Sequence, residues 1–501
     1  MLLGPIHYHA PHGSLVRYTS CLLTIILFGS AALPAHAQLP IDTLSMRAQT
    51  YFLAHDLLGG RATGSFGAAL AAEYIANECM ELGLVPAGST YAQPLALEEA
   101  TIEGGTSLTL TRLGRRAHFT YPADFTPNVG SRSTLTDFRG PAVYLGLASD
   151  LESEQFDAHS LQGAVAVVTG PRVSAEAVDV LRDRGAVAVV NLLPDERLFS
   201  LYVGSRGPTR MYHQDPSVRS SFLPSLPSVL AGPRLSSALV AGAVLGDEIQ
   251  LGPLRIDIEF SIRLARKAVT AKNVACLLRG SVTPLADTAI AFTAHYDHLG
   301  VVPPGDTAGD AIYNGFADNA AGVAMLLGIA RAMAFDREAP VRHSMLFLFF
   351  DAEERGLLGS DYYVSRPYWP LERTKAVINI DAGAPPGLLV NWALSGVDST
   401  GLGAMALEIA RSRGWQVTTS PATANSDYYP FVREGIPGVF VKPGPGAYEG
   451  LSADSSDALR HRWRYYHDPQ DEWTEDFPFI GLQRYAEFAY LIAKRLDTDI
   501  H

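Results

Sequence analysis

The chain has 501 residues, of which 39 are Lys or Arg and 52 are Asp or Glu, so its formal net charge at pH 7 is −13. This acidic balance argues against nucleic acid as a partner, because phosphate backbones carry the same sign of charge. The length exceeds what one hydrophobic core usually supports and predicts two or three domains.

The first 37 residues have the pattern of a secretory signal peptide. Arg17 is their only Lys or Arg, an apolar stretch runs from Cys21 to Leu33, and a small-x-small cleavage site ends at Ala37. The apolar stretch is shorter than the roughly 20 residues that span a bilayer, which favours cleavage over anchoring. We therefore expect an exported protein, periplasmic or extracellular, with no stable membrane anchor.

Two cysteines, Cys79 and Cys276, follow the predicted cleavage site. The first lies in a helical pattern and the second in an apolar strand pattern. Buried free thiols are the expected state, because free Cys is among the most buried residue types. A disulfide between them is the alternative in an oxidising compartment, and the sequence does not decide whether the two residues pair.

The first half of the chain changes from helix to short strands. Apolar residues recur at three- and four-residue spacings over 46–84, which predicts helix interrupted by a glycine-rich turn at 59–65. Residues 91–125 predict short strands with turns. Short apolar runs and a Ser-, Pro- and Gly-rich loop at 205–227 then predict an inserted β-rich α/β domain over 131–255, a common domain size.

From residue 256 onward, apolar strands alternate with helices. The strand patterns are at 273–278, 289–294, 344–350, 376–380 and 439–441, and the helix patterns are at 322–333, 404–413 and 483–496. Fully apolar strands that alternate with helices predict an α/β fold with a mostly parallel central sheet and helices on both faces. Ligands of such sheets bind beyond the carboxyl ends of the strands.

Five polar motifs adjoin these apolar runs. They are His295-Tyr296-Asp297, Asp318-Asn319, Asp351-Ala352-Glu353-Glu354, Asn379-Ile380-Asp381 and Tyr466-His467-Asp468. A charged group beside an apolar run is costly unless a metal or a partner satisfies it. Two histidines with several carboxylates make a ligand set for two zinc ions, which is typical of a hydrolase.

The spacing within the motifs suggests separate tasks. His295 and Asp297 are two residues apart at a strand end, so both side chains point to one side. Asp318 could be an ordinary helix N-cap, but a carboxylate can also bridge two cations about 3.5–4 Å apart. Of the adjacent Glu353 and Glu354, whose side chains diverge, one can bind metal while the other takes a proton from water.

The ordered motifs resemble the family 28 zinc metallopeptidases, which include secreted bacterial aminopeptidases and whose relatives include glutamate carboxypeptidase and the transferrin receptor. The resemblance rests on Gly315-x-x-Asp318-Asn319-x-x-Gly322, on Glu353-Glu354-x-Gly356-Leu357-x-Gly359-Ser360, and on Ser426-Asp427 through Phe431 with Gly435-Ile436-Pro437. It implies a discontinuous peptidase domain over 38–130 and 256–501. Residues 161–168 and 185–190 resemble the protease-associated domain that many members carry as an insert, here 131–255.

The resemblance implies a role for each motif residue. His295 and Asp381 would bind one zinc ion, Glu354 and His467 the other, and Asp318 would bridge both. Glu353 would be the general base and then the acid, Asp297 would orient His295, and Tyr466 would steady the oxyanion, as in some relatives. A cis peptide after Asp318 is also implied. Asp351, His298, His343 and His461 lie outside the pattern and are not expected to bind metal.

The favoured function is an exported dizinc aminopeptidase that acts on peptide or protein N-termini. A carboxypeptidase or dipeptidase on the same site is the main alternative, because the residues that separate these activities lie in pocket loops. A glutaminyl cyclase, which typically manages with one zinc ion, and a non-catalytic binding protein are disfavoured by the full ligand set. The sequence does not decide whether the protein forms a homodimer.

Overall fold

A computed structural model describes residues 41–128, 136–152, 161–170, 173–206, 208–221, 225–241, 244–245, 248–249, 251–302, 309–397 and 401–498. The predicted signal peptide, 1–37, lies outside these residues. Within them, no helix has both the length and the apolar character needed to cross a membrane.

The strands of the described residues are numbered in chain order. They are β1 (Val85–Pro86), β2 (Ala92–Ile102), β3 (Ser107–Arg112), β4 (Arg115–Thr120), β5 (Phe125–Asn128), β6 (Phe138–Leu147), β7 (Val165–Thr169), β8 (Ala188–Leu192), β9 (Thr209–His213), β10 (Ser228–Ala231), β11 (Val244–Leu245), β12 (Glu248–Ile249), β13 (Gly252–Ser261), β14 (Leu264–Leu278), β15 (Ala289–His295), β16 (Gly300–Val301), β17 (Ile312–Tyr313), β18 (Ser344–Phe350), β19 (Thr374–Ile380), β20 (Asn391–Ser395), β21 (Gln416–Ser420) and β22 (Gly438–Pro443).

The helices are numbered in the same way. They are α1 (Thr43–Leu53), α2 (Phe66–Glu81), α3 (Ala175–Asp183), α4 (Glu196–Arg206), α5 (Pro233–Val240), α6 (Ala321–Phe335), α7 (Leu358–Ser365), α8 (Gly401–Ser412), α9 (Tyr429–Arg433), α10 (Ala453–His461) and α11 (Ile480–Thr498).

The central sheet has 10 strands in the order β21-β20-β22-β19-β15-β18-β14-β2-β9, with β1 paired to β14. The strands β18, β15, β19 and β22 run parallel to their neighbours in this middle part. The flanking strands β14, β2 and β9 pair antiparallel. The predicted α/β class is confirmed, but the sheet is mixed and parallel mainly in its middle, because the long strands β2 and β14 join it antiparallel.

Both faces of the central sheet are covered by helices. Along β15 every residue is buried. Ile290 and Phe292 pack in a core cluster with residues of α1, α2, α6, α8 and α11, whereas Ala289 and Ala291 pack in a second cluster with residues of α7 and α9. Successive strand residues point to opposite faces, so this alternation places helices on each side, as predicted.

A second sheet has 8 strands in the order β4-β3-β13-β6-β7-β8-β10-β5. It uses residues from Ser107 in β3 to Ser261 in β13 and therefore extends past both ends of the predicted insert, 131–255. Conversely, β9 lies within that predicted insert but pairs with β2 of the central sheet. Short strand patterns do not reveal which sheet a strand joins, because pairing is decided by distant residues. That the insert is a protease-associated domain stays a prediction.

Cys79 of α2 and Cys276 of β14 form a disulfide, with their Cα atoms 6.3 Å apart and a sequence separation of 197 residues. Both side chains are fully buried. The expectation of free thiols is therefore wrong. Each residue lies in a buried pattern, as expected, but the packing of α2 against β14 that brings the sulfurs together is a long-range contact.

Candidate metal centre

Three of the five motifs meet at one edge of the central sheet. The parallel strands β15, β18 and β19 end at His295, at Phe350 before Asp351, and at Ile380 before Asp381. Carboxyl ends of neighbouring parallel strands lie at the same edge, which is where ligands bind in such sheets. These three motifs therefore lie at a common edge of the sheet, and their roles stay predictions.

One cluster of potential ligands surrounds His295, whose side chain is buried. Its Nε2 lies 2.9 Å from Oδ1 of Asp381 and 3.3 Å from Oδ1 of Asp318. Its other ring nitrogen, Nδ1, lies 3.6 Å from Oδ1 of Asp297. The predicted ligands of the first zinc ion therefore lie together, and Asp297 faces the back of the imidazole; its role in orienting the ring stays a prediction.

A second cluster surrounds His467. Its Nε2 lies 3.1 Å from Oε2 of Glu354 and 3.2 Å from Oδ2 of Asp318. The two carboxylate oxygens of Asp318 thus face different imidazoles, Oδ1 towards His295 and Oδ2 towards His467. This is the arrangement expected of a carboxylate that bridges two cations.

The backbone around Asp318 is held by several hydrogen bonds. The backbone N–H groups of Ala317 and Asp318 donate to the carboxylate of Asp471, at 2.9 and 3.1 Å. The side-chain amide of Asn319 donates to the carbonyl oxygen of Ile380, the residue before Asp381, at 3.0 Å. The Asp318–Asn319 peptide is cis, as the family resemblance implied. The N-cap of α6 is Ala320 and no side chain caps it, so the simple N-cap interpretation of Asp318 fails.

Asp297 also holds the two glutamates of the third motif. Its Oδ1 accepts from the backbone N–H of Glu353 at 3.1 Å and its Oδ2 from that of Glu354 at 3.3 Å. The hydroxyl of Thr63 donates to the same carboxylate at 3.2 Å. Asp297 therefore connects the His295 strand end to the glutamate turn, a role that the sequence pattern did not reveal.

Glu353 lies within this ring of charged groups. Burial raises the pKa of its carboxyl group well above its ordinary value; His295 lowers it, while the carboxylates of Asp381 and Asp427 raise it further. A carboxyl group with a raised pKa can accept and return a proton near neutral pH. This placement fits the predicted general base.

The donor set fits a pair of zinc ions. Two groups of three side chains, His295–Asp318–Asp381 and His298–Asp318–Glu354, each bring three ligand atoms within 4.8 Å of one another. The Nε2 atom of His467 is buried and makes no hydrogen bond within the described part of the chain, although two carboxylates face it. Nitrogen and carboxylate ligands with a shared carboxylate are those of two-zinc sites.

The environment of His467 shows how strongly the carboxylates concentrate negative charge. Burial alone would lower the pKa of its imidazole, but Asp318 and Glu354 raise that pKa to about 10. Opposite charges at such distances favour the charged form of a side chain. A cation is therefore strongly favoured at this position, whether it is a proton or a metal ion.

Arg61 lies behind the metal centre and is 1% exposed. Its Nε donates to the carbonyl of Tyr296 at 2.7 Å, and its Nη1 and Nη2 donate to those of Asn314 at 2.6 Å and Gly315 at 2.9 Å. It also donates to the carbonyl of Leu53. One guanidinium group thus joins the loops that carry His295 and Asp318. The sequence pattern predicts only a turn for this segment, and the arginine within it is the signal that could have pointed to this role.

Ser426 orients Asp381 from the other side. Its hydroxyl donates to Oδ2 of Asp381 and accepts from the side-chain amide of Asn379 at 2.7 Å. Asn379 in turn accepts from the hydroxyl of Thr293 at 2.6 Å. The Ser426-Asp427 motif, which the sequence analysis noted without a role, therefore belongs to the support of the site.

The residues set aside by the sequence analysis lie in different places. His298 is fully buried beside Glu354, with its Nδ1 2.7 Å from Oε1. His343 pairs with Asp497 at the C-terminal helix, and His461 is exposed at the end of α10. Asp351 is buried and accepts from the hydroxyl of Tyr296 at 3.2 Å. Of these residues, only His298 enters the groups that could hold a metal ion.

A cavity of about 710 Å³ opens beside the site and includes Asp318 and Asp381 in its wall. Its apolar wall includes Ala382, Pro385, Pro386, Pro443, Trp463 and Tyr466. Tyr466 is 74% exposed, and its ring stacks on that of His467 with the centroids 3.9 Å apart. A substrate in the cavity would contact this tyrosine, whose role at the oxyanion stays a prediction.

The model of peptidase family M28 matches residues 273–490. A probable leucine aminopeptidase 2 of Aspergillus oryzae is 29% identical over 163 residues, which are 30% of this chain and 30% of that relative. The aligned part therefore spans about a third of that relative.

An aminopeptidase of known structure shows the same fold. The aminopeptidase from Aneurinibacillus sp. strain AM-1 matches with a TM-score of 0.52 at 19% identity, over 91% of this chain and 94% of that one. A zinc aminopeptidase from Bacillus subtilis has a TM-score of 0.46 at 19% identity, over 92% and 97% of the two chains. The segment that matches the model of peptidase family M28, residues 273–490, carries all five predicted zinc ligands.

Proposed function

We propose that the protein is an exported dizinc aminopeptidase that removes residues from the N-termini of peptides or proteins. The observation that carries this proposal is the position of Asp318, whose two carboxylate oxygens face His295 and His467 separately. The matched relative of Aspergillus oryzae and the matched structure from Aneurinibacillus are both named aminopeptidases, which supports this activity.

The chain's own residues would divide the binding of two zinc ions. His295 and Asp381 would hold one ion, Glu354 and His467 the other, with Asp318 between them. Bound zinc would polarise the scissile carbonyl and acidify the attacking water. Ser426 holds Asp381 from behind by a hydrogen bond, as partners of ligands commonly do, and Asp297 faces Nδ1 of His295 at 3.6 Å.

Glu353 would carry the proton during the reaction. Its backbone N–H donates to Asp297 at 3.1 Å, which holds the turn that carries its carboxyl group. It would accept a proton from the attacking water and return that proton to the leaving amine. Its raised pKa, caused by burial first and then by neighbouring carboxylates, suits both steps.

A carboxypeptidase or dipeptidase is the second candidate, and one observation favours it. Arg464 lines the same cavity, is exposed, and has no polar partner among the residues that the structure describes. A free guanidinium group there could pair with a substrate carboxylate. A glutaminyl cyclase and a non-catalytic binding protein are weaker candidates, because the chain keeps a full ligand set for two metals.

Hydrolysis of matched peptides tests the proposal. Zinc-loaded protein lacking 1–37 is incubated with one peptide in three forms: unmodified, acetylated at the amine, and amidated at the C-terminus. An aminopeptidase cleaves the unmodified and amidated forms and spares the acetylated form. Cleavage that survives acetylation but is lost on amidation would instead establish a carboxypeptidase.

Export is the second part of the proposal. The signal-peptide pattern supports it, and the buried Cys79–Cys276 disulfide is typical of an oxidising compartment. Expression of the full chain followed by cell fractionation and N-terminal sequencing tests it. We expect an exported protein that begins at Gln38; a cytoplasmic protein that retains Arg17 would contradict export.

A further inference from the structure

We propose that His298 is a positioning residue that donates a hydrogen bond to Glu354 and fixes this carboxylate for the second zinc ion. This inference rests on the proposed dizinc function, but it concerns a histidine outside the expected ligand set. Its role is to set the orientation of a ligand without binding the metal itself.

The two oxygens of Glu354 have different neighbours. Oε1 lies 2.7 Å from Nδ1 of His298, whereas Oε2 lies 3.1 Å from Nε2 of His467. The same Nδ1 of His298 is 3.9 Å from Oδ2 of Asp318, beyond hydrogen-bond distance. His298 therefore contacts one oxygen of Glu354 and leaves the other oxygen directed at the predicted metal position.

The surroundings of the imidazole show which nitrogen carries the proton. Nε2 of His298 is buried and has no hydrogen-bond partner in the part of the chain that the structure describes. A buried N–H without an acceptor is costly, so the proton belongs on Nδ1, where Glu354 accepts it.

The surroundings of the second ring nitrogen distinguish His298 from a metal-ligating histidine. A ligating histidine almost always donates its other ring N–H to a carboxylate or carbonyl. On that side His295 faces a carboxylate, since Oδ1 of Asp297 lies 3.6 Å from its Nδ1, slightly beyond hydrogen-bond distance. His298 has none at Nε2 among the described residues, so ligation through Nδ1 would leave an unpaired N–H in the core.

The ring of His298 is also held rigidly. Its side chain is fully buried, and its backbone N–H donates to the carbonyl of Arg61 at 3.2 Å. A Cβ atom at Gly315, which has a φ of +57°, would lie only 2.6 Å from ring atoms of His298, so the ring packs directly on this backbone. The donor is therefore fixed before any metal binds.

Zinc binding by two replacements of His298 tests the proposal. His298→Leu removes the donor, whereas His298→Asn keeps an amide N–H near the place of Nδ1. We measure zinc per chain by elemental analysis and the dissociation constant of each ion by chelator competition. His461→Leu, at an exposed histidine that ends α10, is the matched control. Circular dichroism of the zinc-free proteins checks the fold.

We expect His298→Leu to keep the first zinc ion and to bind the second roughly 10–100-fold more weakly, the usual effect of removing a ligand's hydrogen-bond partner. His298→Asn should recover most of that affinity, and His461→Leu should match the wild type. Should His298→Leu not fold, His298→Gln, whose amide reaches the place of Nε2 instead, replaces it with the same expectation.

Two results would overturn the proposal. Unchanged affinity for the second ion in His298→Leu would show that the hydrogen bond does not position Glu354. Failure of a well-folded His298→Asn to recover affinity would show that the ring nitrogen itself is needed, as for a ligand. A wild-type protein that binds one zinc ion or none would instead refute the proposed dizinc function, so the two failures are distinguishable.

Discussion

Replacing Asp297 by Asn perturbs the metal centre with almost no change in shape. The wild-type carboxylate accepts two backbone N–H groups, from Glu353 at 3.1 Å and Glu354 at 3.3 Å, one on each oxygen. An asparagine has one oxygen and one NH₂ group. One of the two backbone N–H groups must therefore face another donor and lose its hydrogen bond.

The size of the effect follows from that lost bond. A hydrogen bond to a charged group contributes about 1.5–3 kcal/mol. If the loss falls on the placement of Glu353 in the transition state, it corresponds to a decrease of roughly 10–150-fold in rate. We therefore expect kcat of Asp297→Asn at saturating zinc to fall about 10–100-fold.

The assay compares initial rates of peptide hydrolysis with zinc in excess, so that weaker metal binding does not enter. Asp287→Asn, at an exposed aspartate of the same domain, is the control and should retain wild-type activity. If Asp297→Asn stays within about twofold of the wild type, Asp297 does not hold the glutamate turn, and the structural reasoning fails.

Four further predictions follow from the same structure. Glu353→Ala should keep its zinc but lose at least about a hundredfold in kcat, the usual contribution of acid–base catalysis, as rate and metal assays would show. Asp318→Ala should lose zinc, because the bridging ligand is gone; a full zinc content by elemental analysis would refute the bridge. Arg61→Lys cannot keep all four carbonyl contacts, so denaturant unfolding should show a loss of at least about 1.5–3 kcal/mol. Joint replacement of Cys79 and Cys276 by Ala should lower stability by about 2–5 kcal/mol while zinc content stays unchanged, as calorimetry and elemental analysis would test.

The sequence predicts the parts of the fold that short-range patterns decide. The strands that end at His295, Phe350 and Ile380 were expected because their apolar runs need burial on both faces. Strand polarity then puts the residues that follow at a common edge. Strand polarity and the polar motifs together predict the ligand clusters around His295 and His467, and the family resemblance assigns the roles within them.

The remaining features depend on contacts between distant residues. The pairing of β9 with β2 and the Cys79–Cys276 disulfide are set by packing across the chain, which no local pattern records. His298 lies outside the family pattern, and its contact with Glu354 forms only when both strand ends are in place. Arg61 is similar, since its acceptors are backbone carbonyls that any sequence provides.

Anomalous scattering at the zinc absorption edge, from crystals of the zinc-loaded protein, tests the central claim most directly. Two peaks are predicted, on either side of the Asp318 carboxylate, one beside His295 and the other beside His467. A single peak, or peaks away from Asp318, would contradict the dizinc site.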